Sequence, residues 1–269
     1  MQDHNVPFSR RARLGMSHPV RSLLASKLLS ALVMVSCALA AHSAHAAFIG
    51  SLVRIDVTSS SGSGHLDIVF PNPTSDPYSW ALSAPVTVVD SNDTMLGTVD
   101  YLEVTYNGDP QVILNFAVTA GSATTTFNIQ SAVTTFPTLS SPLAFATAAI
   151  TVTDNNNNGA TLVGLEPGAR AYAAQYNGGP IFADLIASPV VAPTGSSITL
   201  SDRKPPVSGF VPIVGSVFSI ESEFRFTLTR RDSASGTSNF TVVPEPATWA
   251  LLGIGLVGLA LAKRRRREG

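Results

Sequence analysis

Apolar and polar residues alternate in short runs along most of the chain, between about residues 47 and 242. Leu102–Tyr106, for example, reads Leu-Glu-Val-Thr-Tyr, and such runs are separated by glycine, asparagine, aspartate and proline. Alternation with a period of two is typical of β-strands that bury one face, and this part of the sequence shows no helical period of useful length. The predicted strands are Phe48–Val57, Leu66–Phe70, Val86–Val89, Leu96–Tyr106, Val112–Ala120, Thr124–Gln130, Ala144–Thr153, Thr161–Leu165, Ala171–Tyr176, Ile181–Ile186, Ser197–Leu200 and Phe224–Thr229.

Many short strands without intervening helices predict an all-β fold, and we expect an antiparallel β-sandwich of jelly-roll or immunoglobulin-like type. Asn107–Pro110 supplies a turn, and Ala120–Ser122 reverses the chain again, which predicts an antiparallel meander in this region. Proline-rich segments at 71–77 and 205–212 are predicted to be loops or to protect the edges of the sheets. The body is long enough to bury one hydrophobic core and to form one domain.

The N-terminal segment departs from this pattern. Its basic residues are followed by an apolar run, Leu28–Ala41, and then by Ala44-His45-Ala46. A basic region, an apolar run and two small residues spaced by one position are typical of a secretory signal peptide. Residues 1–46 are therefore predicted to form a signal helix whose cleavage site contains Ala44 and Ala46, so that the mature chain begins at about Ala47. Either Met1 or Met16 is the start. The basic residues are Arg10, Arg11, Arg13, Arg21 and Lys27.

The C-terminal segment also departs from the pattern. Ala247–Ala262 contains sixteen residues without a charge, and five basic residues follow it directly. As a helix this run is about 24 Å long, short for a bilayer core of about 30 Å, but basic side chains at one end extend its reach. We expect a transmembrane helix over 247–262 whose basic stop lies on the cytoplasmic side. The stop consists of Lys263, Arg264, Arg265, Arg266 and Arg267.

The glycines of the apolar run match the spacing of a dinucleotide-binding fingerprint at Gly253–Gly258. That fingerprint requires a preceding strand and a βαβ unit of about 30 residues. Only eleven residues follow Gly258, so the match is rejected. Glycines in a membrane helix instead permit close contact between helices.

The three-part order of the tail resembles a PEP-CTERM sorting signal. The resemblance rests on Val243–Trp249, which contains Pro244, Glu245 and Pro246, on the apolar run and on the arginine cluster. It implies recognition by an exosortase, a membrane-embedded cysteine protease-transpeptidase, with transient retention in the inner membrane and release to the cell envelope or the exterior. It also implies an association with exopolysaccharide and biofilm. The activity of the attached body does not follow from the tail.

These features divide the chain into four parts. The signal peptide occupies residues 1–46, and the β-sandwich occupies residues 47–232. Residues 233–242 are either a linker or the last strand, and the sorting signal occupies residues 243–269.

Composition removes several classes of chemistry from the body. Cys37 is the single cysteine of the chain and lies in the leader, so disulfides, cysteine nucleophiles and thiolate metal sites are excluded from the body. His65 is the single histidine after the leader, which excludes a histidine metal cluster within one chain. A serine-histidine-aspartate triad would have to use His65, which follows Ser61–Gly64 in an expected loop or at the start of a strand. The body has seven basic and fifteen acidic residues, and a formal charge of −8 disfavours nucleic-acid binding.

Asp154-Asn155-Asn156-Asn157-Asn158-Gly159 fits the first half of a calcium-binding loop. Oxygen ligands from Asp154, Asn156 and Asn158 would converge on the cation, and the glycine would make the sharp turn. The second half departs from the motif, because position twelve is Leu165 and the carboxylate follows one residue later at Glu166. The alternative is a hairpin loop between the strands on either side, where asparagine and glycine tolerate left-handed backbone angles.

Carbohydrate chemistry has weaker support. The acids Asp90, Asp93, Asp100, Glu103 and Asp109 show no spacing that singles out a catalytic pair. The aromatic pairs Tyr78 with Trp80 and Tyr101 with Tyr106 are candidates for stacking on sugars, but aromatic residues in strands more often pack on the sheet. Tyr101 and Tyr106 differ by an odd number and belong on opposite faces of a regular strand.

We therefore expect a non-enzymatic structural or adhesive protein of the envelope or of an exopolysaccharide matrix. It has no cofactor, with calcium left open at the Asp154 loop, and its partners are the exosortase, the inner membrane and exopolysaccharide. The alternative is a secreted carbohydrate-binding or carbohydrate-active domain on the same anchor.

Overall fold

The computed structural model describes residues 47–69 and 77–245, with side chains from residue 51 onward. These residues form sixteen β-strands and no helix. In chain order the strands are β1 (Ala47–Ser59), β2 (Gly62–Ile68), β3 (Tyr78–Ala81), β4 (Val86–Val89), β5 (Met95–Asn107), β6 (Gln111–Ala120), β7 (Thr125–Ser140), β8 (Leu143–Thr153), β9 (Ala160–Gly164), β10 (Arg170–Tyr176), β11 (Ile181–Ala187), β12 (Val190–Ala192), β13 (Ser197–Lys204), β14 (Val211–Pro212), β15 (Ser216–Leu228) and β16 (Ser233–Val243).

The strands belong to two antiparallel sheets of eight strands each. Sheet A has the order β11-β10-β15-β7-β1-β2, with β9 paired to β15 and β12 paired to β9. Sheet B has the order β13-β8-β16-β6-β5-β3, with β14 paired to β8 and β4 paired to β5. The predicted all-β antiparallel sandwich is confirmed.

The predicted signal helix, its cleavage residues Ala44 and Ala46, and the predicted transmembrane helix over 247–262 lie outside the described residues. Within residues 47–69 and 77–245, no helix is long and apolar enough to cross a bilayer.

The core forms between the inward faces of the two sheets, where alternate residues of the long strands are buried. Its centre is aromatic: the ring of Phe116 on β6 lies 4.9 Å from that of Phe224 and 6.0 Å from that of Phe226, both on β15. Gly236 on the neighbouring strand β16 makes room for this cluster, because a Cβ at that position would lie 2.4 Å from the Phe116 ring. The sheets are thus joined by rings that leave no space for one more carbon atom on β16.

The predicted meander is correct for its first turn and wrong for its second. β5 and β6 form a hairpin that closes at the pair Asn107 and Gln111, as the sequence predicts. After Ala120 the chain does not return beside β6, because β7 belongs to sheet A. Gly121–Ala123 is therefore a crossing between sheets. The same is true of the Asp154 loop, since β8 lies in sheet B and β9 in sheet A, so the predicted hairpin between these strands is absent from the described structure.

The segment left open between a linker and a last strand is a strand. β16 (Ser233–Val243) lies in the interior of sheet B and pairs along its length with β6 on one side and β8 on the other. The linker alternative for residues 233–242 is therefore wrong. Serine, glycine and threonine at alternate positions read as turn residues, but a neighbour on each side satisfies the backbone hydrogen bonds and overrides that preference.

The two ends of the described chain lie at one end of the sandwich, which we call the exit end. Ala47 at the start of β1 pairs with Thr135 near the end of β7. Val243 at the end of β16 pairs with Leu143 at the start of β8. β7 and β8 are joined only by Ser141 and Pro142, so the pair of Val243 lies beside this turn and the pair of Ala47 lies on the half of β7 that leads to it. The opposite end, which we call the loop end, contains the crossings that follow β6, β8 and β15.

Candidate functional site

The sorting motif leaves the sandwich directly from a central strand. Val242 is buried, Val243 is partly buried, and Pro244 and Glu245 are exposed immediately after them. The motif therefore begins where β16 ends, without a flexible spacer. Pro246 and the basic stop Lys263–Arg267 lie outside the described residues.

At the loop end, Asp154 organises the crossing between β8 and β9. Its carboxylate accepts hydrogen bonds from the backbone N–H of Gly195 (2.6 Å), Gly159 (3.0 Å) and Asn156 (3.1 Å). These bonds, that from Gly195 first, lower the pKa of Asp154 to about 2. Both carboxylate oxygens face N–H donors, and the side chain of Asn156 donates to the carbonyl of Arg230. This arrangement favours a structural role for Asp154, and calcium binding by Asp154, Asn156 and Asn158 stays a prediction.

Two further aspartates of the loop end act in the same way, and the sequence did not single them out for it. Asp90 accepts from the backbone N–H of Asn92 and of Thr94, each at 2.8 Å, and these bonds lower its pKa. Asp232 is fully buried and accepts from the hydroxyl of Thr229 at 2.5 Å. The loop end is therefore held by carboxylates that satisfy backbone and hydroxyl donors in the turns.

The outward face of sheet A carries an acidic cluster, which we define as Glu166, Asp184, Glu221 and Glu223. The strand register places Asp184, Ala173 and Glu223 in one row across β11, β10 and β15. Glu221 lies two residues before Glu223 on β15. Glu166 follows β9, forms a bridge with Arg170, and is 8% exposed.

Burial raises the pKa of all four acids of this cluster. The pKa of Glu166 rises to about 7, because burial is reinforced by the negative charge of Glu223 and only partly opposed by Arg225. Glu223 accepts a hydrogen bond from the amide of Gln175 at 2.8 Å, whereas Oε1 of Glu166 is buried without a hydrogen-bond partner. The cluster therefore retains a proton near neutral pH.

This cluster is not apparent from the local sequence pattern. Glu166 stands out only as a displaced calcium ligand, and the predicted strand begins at Phe224, whereas β15 begins at Ser216. A longer predicted strand would have placed Glu221 and Glu223 on one face by their spacing of two.

The outward face of sheet B is rich in hydroxyl groups, and we call it the hydroxyl face. Thr151 and Thr199 share a hydrogen bond of 2.8 Å between their side chains, as do Thr153 and Ser197. Register extends these rows onto β16, at Ser235 and Ser233. The result is a regular array of small polar side chains on neighbouring strands, which are about 4.8 Å apart.

A chain of hydrogen bonds crosses the hydroxyl face. The hydroxyl of Tyr101 donates to Glu103 at 2.6 Å, and the amide of Asn115 donates to the same Glu103 oxygen at 3.2 Å. Thr237 in turn donates to Asn115 at 2.5 Å. Beside Thr237 the row continues to Ala149, whose small side chain leaves an open groove of about 500 Å³ between Thr237, Ser201 and Arg203. Polar side chains thus border this groove, and no bulky side chain of the described residues fills it.

The remaining candidates are scattered over the sandwich. His65 lies within β2 rather than in a loop, and its imidazole is 3.7 Å from the carboxylate of Asp67. Asp100 accepts from the hydroxyl of Thr119 at 2.6 Å. Tyr106 is buried and Tyr101 is 43% exposed, which confirms that they face opposite sides of β5. In the part of the chain that the structure describes, no three histidine, cysteine, aspartate or glutamate side chains are grouped so that they could hold a metal ion.

Comparison with known proteins bears on the tail more than on the sandwich. Residues 242–267 match the model of the PEP-CTERM protein-sorting motif. No curated protein matches the chain. Among solved structures, the chain aligns with the structure of the infectious bursal disease virus Gx strain at 14% identity. The alignment covers 84% of this chain and 76% of the other and has a TM-score of 0.10. It aligns with the VP2 subviral particle of infectious bursal disease virus at 10% identity, covering 83% and 74%, with a TM-score of 0.10.

The motif match covers the residues that follow β16, and the geometry leaves Pro244 and Glu245 exposed at the exit end. A sorting motif at this position directs export and transient anchoring, and both precede removal of the tail. The chain thus carries a PEP-CTERM sorting motif and is an exported protein targeted to an exosortase.

Proposed function

We propose that this protein is a structural or adhesive component of the cell envelope or of an extracellular exopolysaccharide matrix, and that it has no enzymatic activity. The observation that carries the proposal is the position of β16. This strand is an integral part of sheet B, and the motif begins only after its last paired residue, Val243. Removal of the tail therefore releases a sandwich whose two sheets and core are complete.

The loop end supports the same role. Its crossings are held by Asp90, Asp154 and Asp232, whose carboxylates satisfy donors in the turns. A body held rigid in this way, without cysteine and with an excess of acidic residues, suits a soluble component outside the cell.

Fractionation of the producing bacterium tests this proposal. We expect the released sandwich in the envelope or matrix fraction, and we expect a strain without the protein to lose surface attachment or matrix cohesion. Restoring the chain should restore attachment, whereas a chain with Glu245→Ala should remain in the membrane. Unchanged attachment and cohesion in the deletion strain would contradict the proposal.

A second candidate function is carbohydrate binding, which the hydroxyl face favours. The groove beside Ala149 is bordered by hydroxyl groups and by the guanidinium of Arg203, and the exposed ring of Tyr101 lies on the same face. Hydroxyl and amide groups both donate and accept hydrogen bonds, as sugar hydroxyls require. A glycan array probed with wild type and with Ala149→Leu tests it, because leucine would fill the groove from an outward position. Equal binding by both chains would place any glycan site elsewhere.

The acidic cluster provides the strictest test of the proposal that the protein has no enzymatic activity. Glycoside hydrolysis uses one protonated and one ionised carboxyl group, and in this cluster Glu166, whose pKa is raised to about 7, lies close to a second carboxyl group, that of Glu223. We expect no hydrolysis of a panel of polysaccharides by the wild-type chain. If the wild-type chain releases sugar, and Glu166→Gln or Glu223→Gln abolishes the release, the structural proposal is wrong and the protein is a hydrolase.

A further inference from the structure

The exit end combines two features that the sorting function alone does not explain. The chain leaves it on the way to the membrane anchor, and one loop with exposed apolar side chains lies beside the point of departure. We call Pro205–Phe218, which joins β13 to the start of β15, the exit loop. Its large exposed apolar residues are Val207, Phe210, Val214 and Phe218.

The connection between sandwich and anchor is short. Val243 is the last paired residue of β16, and the apolar run begins at Ala247. Four residue steps span at most about 14 Å even when fully extended. While the tail is inserted in the membrane, the exit end is therefore held close to the bilayer surface.

The exit loop lies beside the point of departure. Pro212 pairs with Leu143, and Leu143 pairs on its other side with Val243. Pro212 and Val243 are thus two strand spacings apart, or about 10 Å. Backbone hydrogen bonds from Ile213 to Pro142 and from Ser141 to Gly215, each 2.8 Å, fix the loop against the turn between β7 and β8.

The side chains of this loop point into solvent to an unusual degree. Val214 is 94% exposed and Val207 is 72% exposed. The ring of Phe210 packs edge-on against that of Phe145 at 5.0 Å and is still 42% exposed. Single exposed apolar residues are ordinary on a protein surface. A group of them at the end that is held near a bilayer can instead contact the apolar part of the lipid.

We propose that the exit loop contacts the outer surface of the inner membrane while the tail is uncleaved. Phe210 and Val214 enter the interfacial layer of the lipid, as apolar side chains of membrane-surface segments do. The contact holds the sandwich upright on its exit end and keeps Glu245 at a fixed height above the bilayer, where the exosortase meets it. After cleavage the short connection is lost, and the loop alone holds the sandwich only weakly.

A single fluorescent label tests the contact. The body contains no cysteine, so a full-length chain with Cys37→Ser and Val214→Cys accepts one environment-sensitive nitrobenzoxadiazole probe. The chain is reconstituted through its tail into vesicles of phosphatidylethanolamine and phosphatidylglycerol, with or without nitroxide-labelled lipid. We expect a blue-shifted emission that the nitroxide lipid strongly quenches. The matched control is Met95→Cys, an exposed apolar position at the loop end, which should show neither effect.

Each other outcome overturns the proposal. Emission from position 214 that is as red and as unquenched as that from position 95 would show that the loop stays in water. A blue shift without quenching by the nitroxide lipid would show that a second copy of the chain covers the loop. The exosortase is absent from these vesicles and does not contribute to the signal. In cells, Phe210→Ser with Val214→Ser should slow removal of the tail, whereas Met95→Ser should not.

Discussion

The hydroxyl of Tyr106 on β5 donates a hydrogen bond of 2.5 Å to the backbone carbonyl of Leu52 on β1, across the core from sheet B to sheet A. It also accepts one of 2.8 Å from the backbone N–H of Ala132 on β7. The register of β1 against β7 shifts between Ile49 and Val53, so the regular ladder is interrupted beside Leu52. The tyrosine thus satisfies backbone groups that the bulge leaves unpaired inside the sandwich.

Tyr106→Phe removes this hydroxyl and leaves buried backbone groups without a partner. We expect the free energy of unfolding to fall by about 1–3 kcal/mol, which lowers the melting temperature by about 2–4 °C for each kcal/mol. The matched control is Tyr101→Phe on the same strand, whose hydroxyl bonds to Glu103 at the surface. Thermal unfolding with equal losses in both variants would argue against the role of Tyr106.

Gly236→Ala tests how tightly the two sheets are packed. The new methyl group would lie 2.4 Å from the ring of Phe116, which is itself held against Phe224. Overpacking of a filled core costs about 1–3 kcal/mol. Gly179→Ala is the control, because nothing lies within 4 Å of the added carbon. If denaturant unfolding gives the same midpoint for both variants, the core has space that the structure does not show.

Glu166 should make the sandwich less stable as the pH rises. Its ordinary pKa is 4.5, and in the folded protein the pKa is about 7. Between these values the folded state binds more protons than the unfolded state, so stability falls from pH 4.5 to about pH 7 and levels off above. Glu166→Gln should remove the share of this fall that Glu166 contributes, while Asp184, Glu221 and Glu223 keep theirs. At pH 8 the variant should melt higher than the wild type, by about 2–4 °C for each kcal/mol gained.

The control for that experiment is Asp109→Asn in the exposed turn between β5 and β6. Melting curves of this variant should follow those of the wild type from pH 4 to pH 8. If Glu166→Gln has the pH dependence of the wild type, then Glu166 does not hold its proton in the folded protein.

Asp154→Ala separates a structural role from a calcium site. Without the carboxylate, the amides of Gly195 and Gly159 lose their acceptor, so their hydrogen exchange should accelerate and the melting temperature should fall. The stabilisation should be complete above the ordinary pKa of 3.8 and should be lost as the pH falls toward about 2. Asn155→Ala is the control in the same loop. Calorimetry that detects calcium binding in the wild type, and its loss in Asp154→Ala, would revive the metal site.

The tail makes its own prediction. Deleting Lys263–Arg267 removes the positive charges that fix the cytoplasmic end of the apolar run, so membrane retention should fall or the topology should change. Glu245→Gln should leave retention intact and impair processing, since the exposed carboxylate belongs to the recognised motif. Fractionation and mass measurement of both variants check this. Wild-type mass and location in both would refute the sorting role.

Much of the fold follows from alternation in the sequence. Leu102–Tyr106 and Val112–Phe116 have their predicted hairpin, because a period of two and a turn at Asn107–Pro110 determine it locally. The sheet to which the next strand belongs is decided by the packing of the whole core. Local pattern therefore does not show that β7 leaves β6, or that β16 enters between β6 and β8.

The groups of residues that act together in the sandwich were less predictable, because they too depend on how distant strands pair. The sorting motif is a contiguous string of residues, so the sequence alone identifies it. The acidic cluster joins Asp184 of β11 and Glu223 of β15 to Glu166, which follows β9, and the hydroxyl bond from Tyr106 to Leu52 joins residues of two sheets. Only the register of the folded strands brings such residues together.

Mass spectrometry of the mature protein from the producing bacterium tests the central claim most directly. If the tail serves delivery and the sandwich is the working form, the released protein should begin near Ala47. It should end at or close to the motif Pro244–Pro246, without the apolar run and the basic stop. A mature protein that retains its C-terminus through Gly269 would contradict that claim.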